Sequence, residues 1–171
     1  LKYQGEFETA LRRPRGIAIF SNVARRGGPT GDRHTYVAVL HGDDSASVYV
    51  WELKLPAGLP LAVTALGAFP DTKRDATQGA LSSPVAMDTG FPDHQEILYV
   101  LDRGGTSLRA FDLAEIAFRI SRQQPPDLSA PPLIADLPFQ GDNLHLAIGP
   151  GGAVHVVDGQ TESISTFVRR P

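Results

Sequence analysis

Apolar and polar positions alternate along this chain in a pattern that occurs three times. Each copy begins with a short apolar strand and continues into a hairpin. The strands cover 16–20, 84–88 and 145–149, and the hairpins cover 36–53, 97–113 and 154–170. Trp51, Phe111 and Phe167 hold corresponding places in the hairpins, 60 and 56 residues apart. A repeat of this length, built on short strands, predicts a propeller or a solenoid array.

The alternation within the hairpins indicates how these strands are packed. In 97–102 both sets of alternating side chains are largely apolar, which predicts a strand that is buried on two faces. Stacked propeller blades bury their middle strands in this way. Strand-like runs at 61–66 and 132–137 extend the first two copies to four strands each. The third copy has three strands, and the segment 5–11 is a strand without a blade.

One helix interrupts the strands. Asp112 can cap it, and Glu115 three positions later completes a capping-box pattern. Apolar residues then recur at helical spacing on one face, namely Leu113, Ile116, Ala117 and Ile120. The prolines at 125 and 126 forbid continuation, so the pattern predicts one short helix near 113–121.

These elements predict one all-β domain over 1–171, a partial β-propeller of three four-stranded antiparallel blades with one short helix. Blade 1 covers about 14–69, blade 2 about 83–138, and blade 3 about 143–170 completed by strand 5–11. A net charge of −3 argues against a nucleic-acid partner, because phosphate binding needs a concentrated basic face. No run approaches the ~20 apolar residues that span a bilayer.

Polar residues gather where the second strand of each copy ends, and these positions are the candidate ligand site. They are His41, Asp102, Arg103 and Asp158, with Asn143 at the start of an inner strand. Carboxylate and amide oxygens could bind Ca²⁺ or another divalent metal. Alternatively, the two aspartates accept hydrogen bonds from the backbone of their own turns. The chain has no cysteine, which excludes disulfides and thiolate metal sites.

His145 and His155 lie on the paired inner strands of the third copy. A tight turn at 149–152 would place residue 146 opposite 155. In that register His145 and His155 face opposite sides of the sheet, which argues against a shared metal.

The opening Pro14-Arg-Gly-Ile-Ala-Ile19 and the hairpin Leu98-Tyr-Val-Leu-Asp102, with Phe111 nine residues further on, resemble the NHL-type and gluconolactonase-like propeller families. The resemblance implies a six-bladed ring, of which this chain would form half. It implies a binding or scaffold module for a protein or a small ligand. The alternative is a metal-dependent lactonase or hydrolase of the gluconolactonase-like kind, with the metal held by carboxylates and asparagines in the channel.

Two arrangements would complete such a ring. In a head-to-tail homodimer, residues 5–11 of each copy would complete the third blade of the other copy and close six blades. Alternatively, the chain is a fragment whose parent supplies the remaining blades, an interpretation that the absence of an initial Met favours. The sequence leaves open whether the protein is an enzyme and in which compartment it resides.

Overall fold

The computed structural model describes residues 14–24, 33–41, 47–54, 61–69, 81, 84–90, 97–102, 107–124, 132–139 and 143–168, with backbone alone at 21–24, 33, 34 and 47. Sheet 1 consists of four antiparallel strands that pair in the order of the sequence. They are β1 (Pro14–Ala24), β2 (Arg33–His41), β3 (Ser47–Lys54) and β4 (Ala62–Phe69).

Sheets 2 and 3 each consist of three antiparallel strands, again paired in chain order. Sheet 2 contains β5 (Pro84–Gly90), β6 (Ile97–Asp102) and β7 (Ser107–Asp112). Sheet 3 contains β8 (Leu144–Ile148), β9 (Val154–Asp158) and β10 (Ser163–Phe167). The described residues therefore confirm the prediction of a mainly β protein built from antiparallel sheets.

The strand predicted at 132–137 is much shorter in the structure. Only Ile134 pairs with sheet 2, in an isolated bridge to Leu108 with N···O distances of 2.9 and 3.2 Å. Proline at 132 has no N–H to donate, and Asp136 has a φ of 55°, outside the extended region. The prediction of a fourth strand in sheet 2 was thus wrong beyond one residue pair. The predicted strand 5–11 lies outside the described residues.

The predicted helix is confirmed as α1 (Leu113–Ser121). Asp112 is its N-cap, and the Asp112 carboxylate accepts the backbone N–H of Glu115 at 3.0 Å. Leu113, Ile116, Ala117 and Ile120 are buried along one face. Glu115 and Arg119 form an ion pair one turn apart on the helix surface. The capping side chain and the apolar stripe together account for where α1 begins and which face it buries.

The three sheets stack in the order of the sequence, with their first strands as neighbours. β1 contacts β5, and β5 contacts β8. Interface 1–2 is the apolar cluster between sheets 1 and 2, which includes Phe20, Phe69 and Leu98 together with the buried face of α1. Interface 2–3 is the cluster between sheets 2 and 3, which includes Leu101 and Val156. Sheet 2 is therefore covered on both faces, as the double alternation of its strands predicts.

A glycine in β4 allows α1 to pack closely at the edge of interface 1–2. Gly67 has a φ of +146°, and a Cβ built there would lie 2.8 Å from Cγ2 of Ile120. This conformation is one that residues with a Cβ rarely adopt. Leu66 beside it is the extra residue of a β-bulge. The bulge and the glycine thus shape β4 to receive the helix.

Candidate functional site

Each sheet has a corner where its second strand ends and its third strand begins. A corner is defined here by the last residue of the second strand, the residue opposite it on the first strand, and the first residue of the third strand. The corners are His41 with Pro14 and Ser47, Asp102 with Pro84 and Ser107, and Asp158 with Leu144 and Ser163. His41, Asp102 and Asp158 thus hold equivalent positions in the three sheets.

The corners are also where the described part of the chain buries polar side chains. Its buried polar residues are His41, Asp102, Ser107 and Asp158, with exposed fractions of 6, 2, 5 and 2%. A polar group is removed from water only where it gains compensating interactions. Because these four buried polar groups all lie at equivalent corners, the corner is a regular structural feature of the repeat.

At the third corner the aspartate organises its own turn. Asp158 Oδ1 accepts the backbone N–H of Gln160 at 2.9 Å and that of Thr161 at 3.3 Å. The hydrogen bond from Gln160 lowers the pKa of the Asp158 carboxyl, with a smaller contribution from Thr161, although burial acts in the opposite direction. The Asx-turn alternative therefore describes Asp158 correctly, and this carboxylate is engaged by the backbone.

Asn143 lies beside the turn that follows Asp158. Its backbone carbonyl accepts the N–H of Gly159 at 2.9 Å. Its side-chain Oδ1 lies 3.1 Å from Nε2 of His145. A Cβ at Gly159 would lie 2.2 Å from Nδ2 of Asn143, so a side chain at residue 159 would displace the Asn143 amide from this position. The structure thus brings the predicted Asn143 and Asp158 together in one corner, with the Asn143 side chain exposed to solvent.

His41 and Asp102 are placed in the corners of the other two sheets. The imidazole of His41 packs edge-on against Tyr49, with ring centroids 5.6 Å apart. Asp102 lies opposite both Pro84 and Ser107. Arg103 lies outside the described residues. The structure therefore confirms the equivalence of His41, Asp102 and Asp158 within the repeat, while their convergence on one ligand stays a prediction.

Two features of the candidate region were missed from the sequence. Serine begins the third strand of every sheet, at 47, 107 and 163, directly opposite the corner residue. Its spacing of five or six residues after the corner residue was the signal that could have revealed it. The second feature is Asp88, whose Oδ2 accepts the N–H of Ile148 in the neighbouring sheet at 2.8 Å. Asp88 thus joins the first strands of sheets 2 and 3.

The predicted orientation of the two histidines was wrong. Ala147, not Leu146, lies opposite His155, so His145 and His155 share one face of sheet 3. The turn is one residue longer than predicted because Gly151 and Gly152 both have positive φ and the N–H of Gly149 bonds the carbonyl of Ala153 at 2.8 Å. His155 Nδ1 lies 3.0 Å from the hydroxyl of Thr166.

The resemblance implies a divalent metal held by carboxylates and asparagines. In the part of the chain that is described, no group of three His, Asp or Glu side chains is arranged to hold an ion. Asp158 is occupied by its own turn, and Asn143 contacts His145. The described helices include none that is long and apolar enough to cross a membrane. Comparison with known proteins finds no matching family model and no matching curated protein.

Proposed function

We propose that the chain is a β-propeller module of the NHL-type or gluconolactonase-like kind that binds a protein or a small ligand without catalysing a reaction. The observation that carries the proposal is the corner, a buried polar position repeated at the same place in all three sheets. Propellers expose the turns between successive strands around a central channel. The corners would then form one rim of that channel.

The stacking of the sheets supports the propeller. Their first strands are neighbours in the order β1, β5, β8, and each sheet adds its further strands outward in chain order. Gly90 of β5 lies against Ile148 of β8, where a Cβ would meet Ile148 Cγ2 at 2.4 Å. The ends of these two first strands therefore lie together. A propeller whose first strands are innermost would bring its first strands together in this way.

The first corner is the most interesting for recognition because it departs from the repeat. His41 replaces the aspartate of the other two corners, and it adds a ring that can both donate and accept hydrogen bonds. Asn143 supplies an exposed amide beside the third corner. A ligand with hydrogen-bonding groups would use the exposed amide of Asn143 directly, whereas His41 lies buried at its corner.

A fragment screen by protein-observed NMR tests this proposal. A library of small polar aromatic fragments is added to the ¹⁵N-labelled chain, and backbone amide shifts identify where fragments bind. We expect the shifts to cluster at the corners, including the amides of Asp102 and Gln160. Asn143→Ala should weaken these shifts, whereas Leu133→Ala, at an exposed position outside the corners, should leave them unchanged. Shifts confined to other surfaces would overturn the proposal.

Metal titration separates this function from the hydrolase alternative. Because a ligand that binds the folded state raises the melting temperature, CaCl₂ and ZnCl₂ are added separately during thermal unfolding. We expect neither salt to raise the melting temperature beyond the effect of matched ionic strength. A specific rise with either metal would reveal a metal site and favour the hydrolase alternative.

A further inference from the structure

The peptide bond between Asp158 and Gly159 joins two residues whose combination is chemically reactive. Asp158 is the one aspartate of the chain that is followed by glycine, and neither Asn22 nor Asn143 precedes a glycine. Because glycine has no side chain, its nitrogen can approach the carboxyl carbon of the preceding aspartate with little steric hindrance. Among the aspartates of this chain, Asp158 is therefore the one most prone to rearrange to isoaspartate.

The rearrangement requires no reactant other than water. First, the backbone nitrogen of Gly159 forms a bond to Cγ of Asp158, and the N–H proton leaves with the carboxyl hydroxyl as water, which closes a succinimide ring. Water then adds to one of the two ring carbonyls and opens the ring. Cleavage of the new bond to Cγ restores aspartate, whereas cleavage of the original peptide bond leaves the main chain running through Cγ as isoaspartate.

The third corner holds the two reacting groups apart. The N–H of Gly159 is donated to the carbonyl of Asn143 at 2.9 Å. Asp158 Oδ1 accepts two N–H groups of the turn, from Gln160 at 2.9 Å and from Thr161 at 3.3 Å. Asp158 is also the last residue of β9, where it is paired on both sides. Ring closure requires rotation about Asp158 that brings the Gly159 nitrogen to Cγ, and this rotation breaks these hydrogen bonds.

The charge of Asp158 adds to the effect of the geometry. The hydrogen bond from Gln160 lowers the pKa of the Asp158 carboxyl, so this group stays ionised at neutral pH. An ionised carboxylate resists attack by an amide nitrogen, because it lacks the hydroxyl that leaves as water. Water itself has access to the turn, since Gly159, Gln160 and Thr161 are exposed. Ring closure, not hydrolysis, is therefore the step that the corner prevents.

We propose that Asp158–Gly159 is a site of spontaneous isoaspartate formation that the folded third corner protects, so that opening of this corner controls the modification. Isoaspartate places the side-chain methylene in the main chain and leaves the carboxylate on a shorter branch. The lengthened chain loses the spacing that the Asx turn and the Gly159 bond to Asn143 require, so the modified corner stays open. The modification rests on this geometry alone, whereas a resulting loss of ligand binding at the corner rests on the binding function proposed above.

Peptide mapping by tandem mass spectrometry measures how fast isoaspartate forms at residue 158. The folded chain and the same chain unfolded in guanidinium chloride are incubated at one pH and temperature. We expect the folded chain to react at least about tenfold more slowly, because its corner must first open. Thr161→Ala removes a hydroxyl that lies 2.7 Å from that of Ser163. It should accelerate the reaction of the folded chain about two- to tenfold, because the turn loses a hydrogen bond.

Thr166→Ala is the matched control for Thr161→Ala. It makes the same substitution in the same hairpin, but the Thr166 hydroxyl lies 3.0 Å from Nδ1 of His155, away from the corner. It should leave the rate of isoaspartate formation unchanged, and all variants should react equally when unfolded. Circular dichroism melts establish that each variant is folded, with Ser163→Ala replacing Thr161→Ala should the latter unfold.

Several outcomes would overturn the proposal. They are a folded chain that reacts as fast as the unfolded chain, a Thr161→Ala variant that reacts no faster than Thr166→Ala, or isoaspartate that forms mainly at another residue of the unfolded chain. The fragment screen separates this proposal from the binding function. Isoaspartate that forms as expected in a chain that binds no fragment would overturn the binding module and leave the modification site standing. Fragment binding at the corners of a chain without protection at Asp158 would do the reverse.

Discussion

Sheets 2 and 3 arise from the same repeat and lie side by side, yet their surroundings differ. In β6 of sheet 2, Leu98 and Val100 are buried in interface 1–2, while Tyr99 and Leu101 are buried in interface 2–3. In sheet 3 one face is buried and the other carries the exposed Ile164. The difference shows that the burial of a strand depends on the neighbouring sheets, because strands of this repeat carry apolar side chains on both faces.

The largest difference between the two sheets should appear when core side chains are shortened. Leu98→Ala in sheet 2 should lower the free energy of unfolding by about 2–5 kcal/mol, because it opens a cavity at a fully buried position. Ile164→Ala in sheet 3 should change it by less than about 0.5 kcal/mol in a dilute sample. Urea denaturation measures both values. Equal losses in the two variants would contradict the comparison.

The hydrogen bond that joins sheets 2 and 3 should have the next largest effect. Asp88→Ala removes the acceptor for the N–H of Ile148, and leaving a partly buried donor without it costs about 1–3 kcal/mol. Asp88→Asn is the control, since it retains one acceptor oxygen and should fall between the wild type and the alanine variant. Unfolding in urea provides the measurement, and an alanine variant as stable as the wild type would show that the sheets need no such bond.

Removing the N-cap of α1, the helix that directly follows sheet 2, should have a smaller effect on stability. Asp112→Ala should lower the free energy of unfolding by about 1 kcal/mol, because the first turn of α1 loses its side-chain acceptor. Asp112→Ser, which can also cap, should recover most of this loss. Compared with the wild type, Asp112→Ala should accelerate amide hydrogen exchange in α1 more than in β9 of sheet 3. An equal acceleration in α1 and β9 would mean that the cap does not stabilise α1 locally.

The smallest effect should be a pH dependence at the corner of sheet 3. The pKa of Asp158 is lowered in the folded chain from its ordinary value of 3.8. Its charge therefore contributes stability that is complete above that value and is lost as the pH falls through the lowered pKa. The stability difference between wild type and Asp158→Asn should be constant near neutral pH and shrink below pH 3.8. A difference that is unchanged in acid would contradict the role of the charge.

Local signals in the sequence predicted the fold well where a capping residue or a regular apolar pattern determines the structure. The Asp112 cap and the apolar stripe located α1, and the two-sided apolar pattern of 97–102 predicted a doubly covered sheet. They failed where backbone conformation intervened. The turn after β8 is one residue longer than predicted, because it contains two glycines with positive φ. The strand predicted at 132–137 is reduced to a single pairing at Ile134, and Asp136, two residues later, has a positive φ.

The candidate site was predictable only in part. The equivalent positions of His41, Asp102 and Asp158 followed from the repeat, because residues at one place in a repeat share one place in the fold. The hydrogen bond from Ile148 to Asp88 could not be predicted, since it joins residues in different sheets. Pairing between sheets depends on how they stack, and a periodic pattern within one strand contains no information about that.

The order of strand pairing has a consequence for how the chain folds. Every described ladder joins strands that follow one another in the sequence. Sheet formation therefore requires only the closure of short loops, and these are the contacts that form fastest. As the chain leaves the ribosome, sheet 1 can form before residue 84 has emerged, and each later sheet then finds a folded surface to stack on. Assembly of the stack can thus follow the direction of synthesis.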